Sequence, residues 1–303
     1  MSEGRVKGRF APSPSGRMHL GNAMAALLSW LSAKSRGGEW LLRIEDLDPQ
    51  RCRREYARLL EDDLHWLGLD WDEGGVDGIG PSGPYCQSER SDIYEAALER
   101  LKATGLCYPC TCTRAELRAT QAPHASDGTV IYPGTCRPAV MPAPWHEPTR
   151  PCAVRLAVDS AGEITFTDRR CGPRRSVLAR DCGDIVLRRA DGAWAYQLAV
   201  VVDDALMGVT EVVRGEDLLD SVARQIYLYR LLGAEPPEWS HFPLLCAPDG
   251  RRLSKRDSSE AMDSLRARYT PAQLIGRLAR LAGLRPDDEP CSPADLLQLY
   301  TEQ

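Results

Sequence analysis

The chain has 303 residues, 43% of them hydrophobic and 27% charged, with a formal net charge of −5. That length and balance suit one large or two smaller globular domains with a real core, and no run approaches the ~20 apolar residues of a membrane span. The first seven residues, Met-Ser-Glu-Gly-Arg-Val-Lys, have no signal-peptide character. The eleven cysteines lack a regular framework and read as reduced thiols of a cytoplasmic protein, some of them available to a metal.

In chain order, residues 6–10 predict a first strand, broken by Pro12 and Pro14. A helix fits 20–35, with Leu20, Met24, Leu27, Leu28 and Leu31 on one face. Residues 40–44 predict a buried second strand ending at Glu45. Helices follow at 53–67 and from Asp92, with Glu95 as its capping-box partner and Gly105 as its stop. This alternation implies a parallel α/β sheet. Residues 107–150 change character: rich in Cys and Pro and without periodicity, they read as an insertion. Regular structure resumes near Ala153, with a helix at 196–206, a strand at 209–213 and a helix at 221–232 stopped by Gly233. The tail predicts helices near 274–281 and 294–299. Residues 251–285 hold nine basic and three acidic residues, a patch able to meet phosphates.

Chemistry concentrates in two distant segments. Pro12-Ser-Pro-Ser-Gly-Arg-Met-His19-Leu-Gly21-Asn22 opens the first helix, where free backbone N–H groups and a helix N-terminus suit a phosphate. His19 can donate to it, and Gly16 and Gly21 permit close approach. Arg252-Leu-Ser254-Lys255-Arg256 follows a Pro248-Asp-Gly turn, and Lys255 can stabilise charge on a leaving pyrophosphate. The pair resembles the HIGH and KMSKS elements of class I aminoacyl-tRNA synthetases, with Asn22 and Arg256 departing from the usual final residues. ATP, carried with Mg2+, is the implied substrate, and His19, Gly21, Asn22, Ser254 and Lys255 its site, with His19 and Lys255 catalytic.

Five further motifs in order resemble the glutamyl-tRNA synthetase catalytic domain: Arg9-Phe-Ala-Pro-Ser13-Pro-Ser-Gly16, Leu42-Arg-Ile-Glu45-Asp-Leu-Asp48, Tyr196-Gln-Leu-Ala199, Val202-Asp-Asp204 and Val213-Arg214-Gly-Glu-Asp217. The resemblance implies a Rossmann-like α/β catalytic domain with a zinc-containing insertion and a short helical C-terminal region. It divides the chain at 1–106, 107–150, 151–240 and 241–303, without an anticodon-binding domain. It also implies an L-glutamate pocket lined by Arg9, Phe10, Ala11, Pro12, Ser13, Glu45, Tyr196 and Arg214. Two arginines suit two carboxylates, and Glu45 suits the ammonium.

Cysteine spacing nominates Cys107, Cys110, Cys112 and Cys136 for one structural Zn2+. The resemblance points instead to Cys110, Cys112, Tyr132 and Cys136, with Cys107 and His124 as rivals to Tyr132. About forty residues follow the KMSKS-like loop. In this the chain resembles the short paralogues called glutamyl-Q tRNA(Asp) synthetases, which activate glutamate without tRNA and esterify it to queuosine in tRNA(Asp). A cytoplasmic monomer is expected. A truncated glutamyl-tRNA synthetase, a HIGH-type nucleotidyltransferase and a non-catalytic RNA-binding paralogue are the alternatives.

Overall fold

The computed structural model describes residues 5–119, 131–245 and 261–301. In chain order the first elements are β1 (Lys7–Phe10), α1 (Leu20–Lys34), β2 (Glu39–Leu42), α2 (Arg54–Leu67), β3 (Glu73–Gly74), α3 (Ser91–Ala103) and β4 (Cys107–Cys110). Then come α4 (Arg114–Ala119), β5 (Ala153–Leu156), β6 (Glu163–Asp168), β7 (Gly172–Val177), α5 (Leu178–Asp181) and β8 (Ile185–Arg188). The rest are α6 (Tyr196–Leu206), β9 (Glu211–Gly215), α7 (Val222–Leu231), β10 (Glu238–Phe242), α8 (Met262–Arg268), α9 (Pro271–Leu281) and α10 (Pro293–Thr301). Among the described residues no helix is long and apolar enough to cross a membrane.

The chain forms two compact units. The first gathers Met1–Glu89, Met207–Glu216 and Pro237–Gln303. Its strands run β3-β2-β1-β9-β10, all parallel, as the strand–helix alternation predicts. The apolar face of α1 packs under them: Leu20, Met24, Leu27 and Leu31 are each at most 1% exposed. Leu60, Leu64 and Leu67 of α2 join the same core, as do Leu274, Leu278 and Leu296 from α9 and α10.

The second unit comprises Arg90–Leu206 and Asp217–Pro236. It holds an antiparallel sheet, β4-β5-β8, and the β6–β7 hairpin. Helix α3 differs from its expected start. Arg90 is the N-cap and makes no side-chain cap, and Glu95 pairs instead with Arg188 at 2.9 Å. A buried ion pair fixes this end: Arg90 Nε donates to Asp203 Oδ1 at 2.6 Å, and the Tyr94 hydroxyl donates to Oδ2 at 2.9 Å. Asp203 of the Val202-Asp-Asp204 motif thus ties α6 to α3. Gly105, at φ 72°, ends α3 as expected, because a left-handed residue there satisfies the last carbonyls without a Cβ clash.

Candidate functional site

In the first unit, β1 has β2 on one side and β9 on the other. Strand order reverses between β1 and β9, and a crevice outside the carboxyl ends of parallel strands at such a point is where open α/β sheets take ligands. Arg9, 5% exposed, and Phe10 finish β1, and Ala11, Pro12 and Ser13 continue past its end. The ladder persists beyond β2: Arg43 N–H donates to the Phe10 carbonyl and Glu45 N–H to that of Pro12, both at 3.0 Å. Glu45 is therefore pinned beside the exit of β1. Its carboxylate accepts from the fully buried Arg43 at 3.1 Å.

Arg214 lies on β9, in register with His241 of β10. Arg214 Nε donates to His241 Nε2 at 3.0 Å, and both side chains are buried. Arginine offers no acceptor, so that imidazole nitrogen is unprotonated and the ring carries its proton on Nδ1. Sequence reasoning missed Arg43 and His241. The available signal was a polar residue inside an otherwise apolar strand run, Trp40-Leu-Leu-Arg43-Ile and Trp239-Ser-His241-Phe.

His19 is the N-cap of α1. Its Nδ1 accepts from Gly21 N–H at 3.1 Å, while its own N–H donates to Asn22 Oδ1 at 3.2 Å. An accepting Nδ1 puts the imidazole proton on Nε2, making that edge a donor at a helix N-terminus. A Cβ on Gly21 would lie 3.0 Å from the His19 imidazole, so a side chain there would press on the ring. Gly16, at φ 151°, makes the turn before it. Ser254 and Lys255 lie outside the described residues. The described chain resumes at Ala261, which forms an antiparallel bridge with His19, and Met262 N–H donates to the Met18 carbonyl at 2.9 Å. Met18 and His19 thus sit against Ala261 and Met262, the first described residues after the KMSKS-like segment.

In the second unit, Tyr196 is the first residue of α6 and is half-buried. The same unit gathers a thiol cluster. Cys110 ends β4, Cys112 follows it, and the chain returns with Tyr132 and Cys136. The three Sγ atoms lie within 4.8 Å of one another, with Cys112 and Cys136 at 3.5 Å. Tyr132 Oη stands 3.5 Å from Cys110 Sγ and 3.9 Å from Cys112 Sγ, and accepts from Cys136 N–H at 2.6 Å. A tetrahedral site with metal–sulfur bonds of about 2.3 Å spaces its sulfurs roughly 3.8 Å apart, so this donor set fits Zn2+. Cys107 heads β4 and is not in the cluster; His124 lies outside the described residues.

Burial raises the Cys112 thiol to about 11, reinforced by its bond to Cys136 and the charge of Cys110. Burial also raises Tyr132, as does its bond to Cys110. At Cys136 burial is outweighed by hydrogen bonds from the Thr111 backbone, Tyr132 and Cys112, which bring it down to about 7. The Arg155 guanidinium covers the Tyr132 ring at 3.8 Å. The cluster is also packed apolar, with Tyr108 and Ala157 buried beside it.

The family model for class I tRNA synthetases (E and Q), catalytic domain, matches residues 5–291. The glutamyl-Q tRNA(Asp) synthetase of Symbiobacterium thermophilum is 52% identical over 300 residues, covering 97% of this chain and 91% of that protein. That of Nitratidesulfovibrio vulgaris is 50% identical over 301 residues, covering 98% and 92%. Among solved structures, a glutamate tRNA ligase from Elizabethkingia meningosepticum in complex with its amino acid matches at TM-score 0.81 and 30% identity. That match covers 98% of this chain, which spans 65% of the ligase's length.

Proposed function

Because the chain belongs to the class I tRNA synthetase (E and Q) catalytic-domain family, we propose that it activates L-glutamate with ATP and esterifies it to queuosine in tRNA(Asp). Adenylate formation needs no tRNA in this reading. One observation carries it: two buried arginines, Arg9 on β1 and Arg214 on the neighbouring parallel β9, share one unit with Glu45, which is held just past the exit of β1, and β1 leads to the His19-capped helix. Arg9 and Arg214 hold the two carboxylates of glutamate, Glu45 takes its ammonium, and Phe10 to Ser13 line the pocket; Tyr196, in the second unit, is the further residue that the family resemblance assigns to glutamate. The relatives' printed names support the choice of queuosine and tRNA(Asp).

ATP enters with Mg2+ over Gly21 and Asn22. His19 Nε2–H and Lys255, with Ser254 beside it, face its phosphates, and their donors gain strength as negative charge moves onto pyrophosphate. Attack by the glutamate α-carboxylate on the α-phosphorus forms glutamyl-adenylate. A cyclopentene-diol hydroxyl of queuosine then attacks the acyl carbon, gives up its proton and expels AMP. One Zn2+ on Cys110, Cys112, Tyr132 and Cys136 supplies a structural cross-link within the 107–150 insertion and takes no part in either step. The protein works as a cytoplasmic monomer.

The test has two arms. Glutamate-dependent ATP–pyrophosphate exchange is expected with no RNA present; a strict requirement for tRNA rejects tRNA-free activation. Queuosine-containing tRNA(Asp) lacking its terminal adenosine is expected to accept labelled glutamate, whereas the guanosine form is not. Loss of charging on trimming means ordinary 3′ aminoacylation.

A further inference from the structure

The β6–β7 hairpin of the second unit takes no part in the pockets above, yet it carries the densest run of positive charge among the described residues. Arg169, Arg170, Arg174 and Arg175 are all exposed. They fall within seven consecutive positions of a chain whose formal net charge is −5. The only acid within that stretch or next to it, Asp168, is fully buried. It is spent on the turn: its Oδ1 accepts from Arg170 N–H at 3.1 Å and Cys171 N–H at 2.7 Å. An aspartate used this way stiffens the tip.

The ladder then distributes the arginines. Arg174 pairs across from Phe166 and Arg175 from Thr165, so successive arginines leave opposite faces of the ribbon. They border a shallow cleft of about 560 Å³ with Thr165, Phe166, Thr167 and Pro173. The core does not need these side chains, because only Ile164 and Asp168 of β6 are buried and no residue of β7 is. Exposed guanidiniums gathered on a pinned two-stranded ribbon make a positive surface that a polyanion complements. Guanidinium forks match phosphate oxygens in two-bond geometry.

We propose that this hairpin is the surface that grips the tRNA, holding the phosphate backbone of a stem without reading its sequence. A-form RNA hides its base edges in a deep, narrow major groove, so a ribbon of arginines meets phosphates rather than bases. The proposal rests on the tRNA-directed reading above and adds the contact surface to it.

The double substitution R174Q/R175Q tests it, because neither residue belongs to the glutamate or ATP site. Two readouts separate the proposals. Glutamate-dependent pyrophosphate exchange without RNA is expected at the wild-type rate, which also reports that the variant is folded. Filter-binding affinity for tRNA(Asp), measured without glutamate or ATP from 50 to 200 mM KCl, is expected to fall at least about tenfold at the low-salt end. The log–log salt slope is expected to become shallower by about 1.5 to 2, as for loss of about two phosphate contacts. Unchanged affinity overturns the proposal, as does weaker binding with an unchanged slope. Binding of polyglutamate by the wild type in preference to tRNA assigns the hairpin to an acidic protein and overturns it as well. If the double variant lacks exchange activity, hydrogen exchange on the wild-type protein decides: the 163–177 amides gain protection with saturating tRNA, or the proposal fails. Absence of exchange in the wild type would reject the glutamate chemistry while leaving the RNA measurement intact.

Discussion

A guanidinium buried as deeply as that of Arg214 needs acceptors, and His241 supplies one at 3.0 Å. Replacing His241 by Leu removes that acceptor and is expected to cost about 1–3 kcal/mol, read as a lower urea midpoint. His241→Gln, which presents an amide oxygen at similar reach, is expected to recover most of the loss; equal midpoints for the two variants would show that the bond contributes nothing. Glu73 offers a pH-dependent counterpart. Burial works to raise its carboxyl, but hydrogen bonds from Lys7, Ser82 and Tyr85 outweigh it and hold the group below its ordinary value. A depressed carboxyl binds its proton more weakly in the folded than in the unfolded chain. Its stabilisation is therefore complete above the unfolded value of about 4.3 and is lost as pH falls through the folded one. Glu73→Gln is expected to be less stable at pH 7 and to have a flatter acid limb between pH 5 and 3 in urea midpoints. An acid limb as steep as the wild type's would assign the loss to other carboxylates.

At the scale of elements, α1, α2 and α6 were legible because their apolar residues recur at helical spacing and their boundaries carry capping residues or glycine. The α6 limits, Tyr196–Leu206, match the expected span. The β6–β7 hairpin was not legible. Its β7 strand reads Gly-Pro-Arg-Arg-Ser-Val, and a proline with two arginines gives no alternating apolar pattern. The start of α3 was misjudged for a different reason. The Asp92-x-x-Glu95 spacing promises a capping box, but the helix starts at Ser91, and long-range pairs engage Arg90 with Asp203 and Glu95 with Arg188. Likewise β4 was hidden inside a Cys/Pro-rich run, because its order comes from pairing with β5, not from its own composition. The proposed zinc would cross-link that strand end, and its removal is measurable. Chelation is expected to release one Zn2+ per chain and lower the unfolding midpoint, and Cys112→Ser is expected to do both, while Cys107→Ser retains the metal. Metal loss from Cys107→Ser alone would replace Tyr132 in the ligand set. No change in melting after stoichiometric metal release would deny the site a structural role.

For the whole molecule, the two segments proposed to meet ATP stand far apart in sequence, and the bridge between His19 and Ala261 ties the first of them to the residue at which the described chain resumes after the second. Arg43 and His241 are roles created by strand register, which one sequence does not display. Lys255→Ala is expected to slow adenylate formation by about two to three powers of ten, the scale of losing one preorganised charge-stabilising donor. Glutamate affinity, from equilibrium titration, is expected to stay near wild type; near-normal exchange would remove Lys255 from the phosphate site.

The first unit's discontinuity bears on how the protein is made. Its sheet needs β9 and β10, and its core needs α9 and α10, so the N-terminal 89 residues emerge from a ribosome long before their partners. During that interval α1 lacks the cover that β9, α9 and α10 give it in the folded unit. Pairings of such long sequence separation form slowly, and exposed strand edges invite aggregation. The yield of folded protein is therefore expected to respond to translation speed and chaperone supply during the last third of synthesis, which expression at slowed elongation or with added chaperones checks.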